Sequence, residues 1–295
     1  MCAMKLFNTV ALEINARCNR SCTFCPVAYN TRPDERMPAH LLRKALDELG
    51  ALRYHGRIEL YIYNEPAREM EYLLDVLRAG RHTVPRGCFM VATNGDYLRG
   101  PGNIMAMFDA GLNQLLINCY SPGLYAKRLP WLAALPGIVH RTNDVYVNVG
   151  PHRRVVHMLD KSEPATFGTG VFRLINRAGN IPAFLPATSA PVERMCVKPF
   201  RLLNVNWQGE ALLCCNDYHG QLHIGNLADY TLEQLWNSPV LNTYRKHLLN
   251  KDRTLPLCSK CDCHAGAYPS NVEQPAVNAR FLSVAAIRNR FKELP

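Results

Sequence analysis

The chain has 295 residues and is 48% hydrophobic and 20% charged, which excludes a disordered chain and allows one large domain or two smaller ones. Its 12 cysteines are too dilute for a small disulfide scaffold, yet they are clustered, and clustering in a chain of this size points to metal. The net charge of +10 is scattered over pairs such as Lys127–Arg128 and Arg153–Arg154, a solvated surface rather than a track for nucleic acid. Attraction of an anionic substrate or partner is the sharper alternative.

Residues 1–5 carry no apolar signal core, and the most apolar stretch, 129–139, is broken by Pro130 and Pro136. No membrane segment is expected, and the setting expected is cytoplasmic and reducing, where thiols stay free for metal. The apolar pattern predicts strands over 7–15, 57–63, 88–93, 114–120, 145–149 and 171–176. Helices are expected between them over 38–52, 69–81 and 103–110, with a further one at 124–135. In the first helix Leu41, Leu42, Ala45, Leu46 and Leu49 fall at helical spacing and Gly50 follows as a stop. Strand-then-helix order predicts an α/β fold with a parallel sheet. Six units are too few for a closed eight-fold barrel, so an open partial (β/α)6 barrel is expected, its catalytic groups in the loops after the strands.

A Pro-rich passage at 181–192 leads into a second pattern. Residues 200–206 and 211–215 flank a turn with Gly209 and read as a β-hairpin. A helix over 231–250 follows, with Thr231 as its cap and Gln234 completing a capping box. The expected organisation is a catalytic barrel at 1–180, a cysteine-bearing module at 181–265 and a tail at 266–295.

Directly after the first strand, Cys18, Cys22 and Cys25 are spaced C-x3-C-x2-C. Three local thiolates can hold three corners of an iron–sulfur cube and leave one iron open, whereas a structural zinc loop wants a fourth ligand close by. This segment resembles the radical S-adenosylmethionine (radical SAM) superfamily, and the likeness extends over essentially the whole chain. The resemblance implies a [4Fe–4S] cluster on Cys18, Cys22 and Cys25, with S-adenosylmethionine chelated at the open iron and Phe24 beside its adenine. Reductive cleavage would then yield a 5′-deoxyadenosyl radical that abstracts a substrate hydrogen. Asn64-Glu65-Pro66 is similar to the family's Gly-Glu-Pro segment, which receives the methionine amino group. Thr93-Asn94-Gly95 is similar to its Thr-Asn-Gly, and Asn118 holds the place of a ribose contact. Each is an ordinary turn or loop residue when taken alone. Asn176-Arg177-Ala178-Gly179 resembles a segment of one branch of the superfamily, which makes Arg177 a candidate contact for a carboxylate or hydroxyl.

The second cysteine group is Cys196, Cys214, Cys258 and Cys261, with Cys215 and Cys263 as extras. Taken alone, four such thiolates suit a structural zinc as well as a cluster. The module resembles the auxiliary-cluster module called SPASM, in its shortened single-cluster form, twitch. That implies a second [4Fe–4S] cluster on these four cysteines. Cys215 could replace Cys214, since hairpin alternation turns the two to opposite faces.

Such a chain resembles short enzymes that oxidise a carbinol carbon of an aminocyclitol or sugar, with a reductant such as flavodoxin or ferredoxin. Epimerisation is the alternative and needs a thiol hydrogen donor, for which Cys215 and Cys263 are the candidates. Modification of a ribosomally made peptide is a further alternative, weakened because the first strand begins near residue 7 and leaves no room for a leader-binding domain. A non-enzymatic iron–sulfur or zinc-stabilised binding protein is the alternative of another class. His152, His157 and His219 are candidate bases or sugar contacts that the sequence does not rank.

Overall fold

The computed structural model describes residues 7–142, 154–162, 174–263 and 284–291. Strands β1 (Thr9–Leu12), β2 (Arg57–Glu59), β3 (Cys88–Thr93), β4 (Gln114–Cys119), β5 (Val139–Thr142), β6 (Val155–Asp160), β7 (Leu202–Val205) and β8 (Ala211–Leu212) form one sheet. Its order is β5-β6-β4-β3-β2-β1-β7-β8, so the sheet is open. Every pairing is parallel except the antiparallel hairpin β7–β8. The expected open α/β partial barrel is present, and the expected hairpin joins its sheet as β7 and β8.

Four helices provide the crossovers that parallel strands require: α1 (Ala39–Ala51), α2 (Met70–Thr83), α3 (Pro101–Asp109) and α4 (Leu124–Ala133). The apolar stripe of α1 is buried as its spacing predicts. Gly50, however, lies inside α1 instead of stopping it. A Cβ there would come within 2.6 Å of the Thr83 carbonyl oxygen, so glycine lets α1 pass close to the end of α2.

Two strand expectations fall wholly or partly outside the described residues, 145–149 and the first part of 171–176; Leu174–Asn176 is described and is not strand. The sequence reading passed over β5 and β6. Strand β6 buries five residues in succession, Val155 to Leu159, so it shows none of the alternation of a half-exposed strand.

The helix expected over 231–250 is two helices, α5 (Leu232–Trp236) and α6 (Pro239–Leu249). Pro239 has no N–H to continue the first and disfavours helical backbone at Ser238, which instead caps α6 by accepting from Leu241 N. A last helix, α7 (Val284–Phe291), sets Phe291 edge-on to Phe200, ring centroids 5.1 Å apart; the rest of the tail lies outside the described residues. Strand β7 pairs with β1 in register from Thr9↔Leu202 to Leu12↔Val205. The sheet thus continues across the 180/181 boundary read from the sequence, and one apolar cluster runs from Val10 to Phe200 and Trp236. Among the described residues no helix is long and apolar enough to cross a membrane.

Candidate active site and auxiliary metal centre

Parallel strands deliver the residues after their carboxyl ends to one edge of the sheet. Here the loop after β1 carries Cys18, Cys22 and Cys25, and all three line a cavity of about 360 Å3. Phe24, Asn64, Glu65, Thr93, Asn94, Asn118, Arg177 and Cys215 line the same cavity. Residues spread over two hundred positions are therefore neighbours in one chamber.

The cysteine loop is fastened by Glu13, just beyond β1 and fully buried. Its carboxylate accepts from Arg32 Nη1 and Nη2 at 2.8 and 2.6 Å and from Tyr63 N at 2.9 Å. Sequence reasoning missed this pair because both residues look like surface charges.

Glu65 is 2% exposed. Its Oε1 accepts from Thr93 Oγ1 (2.6 Å) and Ala67 N (3.0 Å), and its Oε2 from Asn94 N (2.7 Å). Burial pushes the carboxyl up to about 7, and these hydrogen bonds pull against that shift. The Asn94–Gly95 turn is held by Arg128, whose guanidinium donates to the carbonyls of Asn94 (3.1 Å) and Gly95 (2.6 Å). Arg128 is 4% exposed, which corrects the reading of Lys127–Arg128 as a solvated pair.

Asn64 spends its amide on the loop itself: Oδ1 accepts from Ile62 N and Nδ2 donates to Asn15 Oδ1. Asn118 is buried with no hydrogen-bond partner for Oδ1 among the described residues, an acceptor held open at the cavity wall. Phe24 packs against Tyr120 (5.4 Å) and Phe184 (6.3 Å).

Three further lining residues carry charge or hydrogen-bonding capacity that the sequence did not mark. Glu59 of β2 and Asn204 of β7 both lie opposite Ala11 of β1, so the register turns them to one face. Lys161, directly after β6, lines the cavity beside Arg177, and burial followed by repulsion from Arg177 draws its ammonium down to about 8. Neither His157 nor His219 lines the cavity; His152 lies outside the described residues.

The second cysteine group lines a separate narrow pocket, formed by Cys196, Cys214, Cys258, Cys261 and Cys263. Its sulfurs receive N–H donors: Asn216 N to Cys214 Sγ at 3.4 Å, Asn216 Nδ2 to Cys261 Sγ at 3.5 Å and Cys263 N to Cys261 Sγ at 3.4 Å. The strand expected over 211–215 ends at Leu212, and the turn beyond it sends Cys214 into this pocket and Cys215 into the larger cavity. Lys198, which lines the auxiliary pocket, reaches Cys215 Sγ with its Nζ at 3.0 Å. Cys263, expected as a hydrogen donor, is turned into the auxiliary pocket and does not reach the larger cavity.

Residues 196–262 match the SPASM iron–sulfur cluster-binding domain. A relative from Niallia circulans, an S-adenosyl-L-methionine-dependent 2-deoxy-scyllo-inosamine dehydrogenase, is 25% identical over 261 residues, 88% of this chain and 94% of that protein. The crystal structure of BtrN in complex with AdoMet and 2-DOIA aligns with TM-score 0.69 and 22% identity, covering 89% of this chain and 95% of that one. The anSMEcpe structure with bound AdoMet gives 0.50 and 12%, covering 96% and 97%. The SPASM match, the relative and the shared fold together support a radical SAM enzyme with a SPASM module.

The thiols of both sites suit the [4Fe–4S] clusters and S-adenosylmethionine that such an enzyme uses. Burial pushes Cys18 up to about 11 and Cys258 up to about 12, with neighbouring thiols adding to both shifts. Thiolates crowded in this way need the positive charge of iron to ionise. Donors aimed at Cys214 and Cys261 are the hydrogen bonds that tune an iron–sulfur site.

Proposed function

We propose that this radical SAM enzyme dehydrogenates a carbinol carbon of a small aminocyclitol- or sugar-type molecule to a ketone. One observation carries the reading: a chamber lined by the three-cysteine motif stands next to a second thiolate pocket, the adjacent Cys215 and Cys214 lining one each. The likeness to a 2-deoxy-scyllo-inosamine dehydrogenase supports it. Cys18, Cys22 and Cys25 hold one cluster, and Cys196, Cys214, Cys258 and Cys261 hold the other. Bound there, the clusters and S-adenosylmethionine supply the 5′-deoxyadenosyl radical that takes the hydrogen atom and an acceptor for the remaining electron.

The chain's own residues do the rest. Glu65, oriented by Thr93 and Asn94, would accept from the ammonium of S-adenosylmethionine, Asn118 Oδ1 would accept from a ribose hydroxyl, and Phe24 would stand beside the adenine. Asn64 shapes the loop that presents Glu65. Arg177 holds a substrate oxygen. Lys161, as the neutral amine, takes the hydroxyl proton. Cys215 is held by Lys198 at the chamber wall, where it would return a hydrogen atom if the enzyme were an epimerase. A flavodoxin- or ferredoxin-type protein supplies the electron, in a cytoplasmic setting.

The deciding experiment gives the reconstituted enzyme S-adenosylmethionine, reductant and 2-deoxy-scyllo-inosamine in deuterium oxide. A ketone formed with one equivalent of 5′-deoxyadenosine is expected. Recovered alcohol with deuterium at the reacting carbon would mean epimerisation. Release of 5′-deoxyadenosine without any change in this compound would return the substrate class to a peptide.

A further inference from the structure

Arg177 stands in a turn that an ordinary chain avoids. Arg177 and Ala178 have φ of 51° and 58° ahead of Gly179 at 84°, two non-glycine residues in succession in the left-handed region. Such a conformation persists only where the surroundings hold it.

What holds it is Asn176, 1% exposed. Its Oδ1 accepts from Ala178 N at 3.0 Å and from Asp262 N at 3.2 Å. Its Nδ2 donates to the carbonyls of Pro186 (3.1 Å) and Lys260 (2.8 Å). Its own N–H donates to Asp262 Oδ1 at 2.8 Å. Asn176 and Asp262 thus clasp each other reciprocally across 86 residues. Thr188 fastens the same segment, with its N–H donating to Lys260 O and its hydroxyl to Ser259 O.

The far side of this clasp is the segment that carries Cys258 and Cys261 into the auxiliary pocket. One side of the turn therefore faces the chamber through Arg177, and the other is bolted to the auxiliary loop. A loop whose ligands gather round a metal group is ordered by binding it.

We propose that Asn176 and Asp262 are positioning residues that make the placement of Arg177 depend on a filled auxiliary site. The proposal rests on the assignment of Arg177 to the substrate. Its consequence is a match between two needs: a chain without its electron acceptor also lacks the arginine that seats the substrate.

Hydrogen exchange of the anaerobically reconstituted enzyme tests this without substrate, on the amides of Asn176 and Ala178. Wild type, Asp262→Ala, Asp262→Asn and Cys258→Ala are compared, with iron measured on each sample. Both amides are expected to exchange at least about tenfold faster in Asp262→Ala and in Cys258→Ala. Asp262→Asn keeps an acceptor at Oδ1 and should stay close to wild type. Unchanged protection in Cys258→Ala, with the first cluster retained, would overturn the proposal. So would an Asp262→Asn variant as fast as Asp262→Ala.

A kinetic arm reads the same link. With 2-deoxy-scyllo-inosamine, Asp262→Ala should raise KM by about tenfold or more, the loss falling on KM rather than kcat, and Asp262→Asn should restore it. A loss confined to kcat would also overturn the proposal. If wild type does not turn this compound over, the substrate reading fails while the exchange comparison still decides the clasp.

Discussion

Arg128 and Lys127 are adjacent and equally basic, yet Lys127 is exposed and Arg128 is buried on the carbonyls of Asn94 and Gly95. The difference is phase on α4, which turns one cation to water and the next to the Asn94–Gly95 turn, and it cannot be seen until the helix is docked. Arg128 leaves no room for anything but glycine beside it: a Cβ at Gly95, where φ is +74°, would stand 2.6 Å from its Nη1. Lys161 teaches the same lesson. In the sequence it is one Lys among 34 basic residues, and its value comes from where β6 ends. Its ammonium is drawn below the usual lysine range to about 8, so the neutral amine is the form gained as pH rises. Turnover should therefore climb with pH through about 8 and level off above it. Lys161→Met should lose that limb of the pH–rate profile along with most of the rate, and Lys161→Arg, which stays charged, should not restore it. A profile unchanged in Lys161→Met would remove this lysine from the proton transfer.

At the scale of elements, the sequence was most legible where local chemistry alone sets a boundary. Thr231 and Gln234 form the capping box that their spacing announced, Thr231 Oγ1 accepting from Gln234 N at 3.1 Å and Gln234 Oε1 accepting from Thr231 N at 2.8 Å. Because α5 has only 5 residues, this cap is a large share of its organisation. Thr231→Ala should cost about 1 kcal/mol. In thermal unfolding of the reconstituted protein that corresponds to a fall of about 2–4 °C in Tm, with iron content unchanged. The break at Ser238–Pro239 was equally local, and reading 231–250 as one helix overlooked a proline that also ends a segment. Strand β6 is the opposite case. Its burial on both faces comes from neighbours far away in sequence, and without alternation a short apolar run carries no sign of its type.

For the whole molecule, the sheet joins what the sequence divides. Strand β7 lies against β1, which brings the segment after residue 196 to the loop that follows Leu12. Two cysteine sets then line two pockets, with the adjacent Cys214 and Cys215 lining different ones. Anaerobic reconstitution should load about eight irons per chain, and Cys258→Ala about four. Zinc in the second site, with about four irons in total, would mean that the auxiliary centre is structural rather than redox-active.

Spacing along the chain brought Cys18, Cys22 and Cys25 together, because thiols 3 or 4 positions apart meet the same group however the remainder folds, whereas Cys196, Cys214 and Cys258 are far apart in sequence and were grouped only through the resemblance to a SPASM module. Strand-end motifs such as Asn94–Gly95 were readable for a similar reason, since a parallel sheet sends every such loop to one edge. Folding alone settled which face each residue takes. The choice of Cys214 over Cys215 for the auxiliary pocket, the turning away of Cys263, and the arrival of Lys161 beside Arg177 all depend on register and packing between distant segments. Side-chain direction is a property of that packing, and no local pattern carries it.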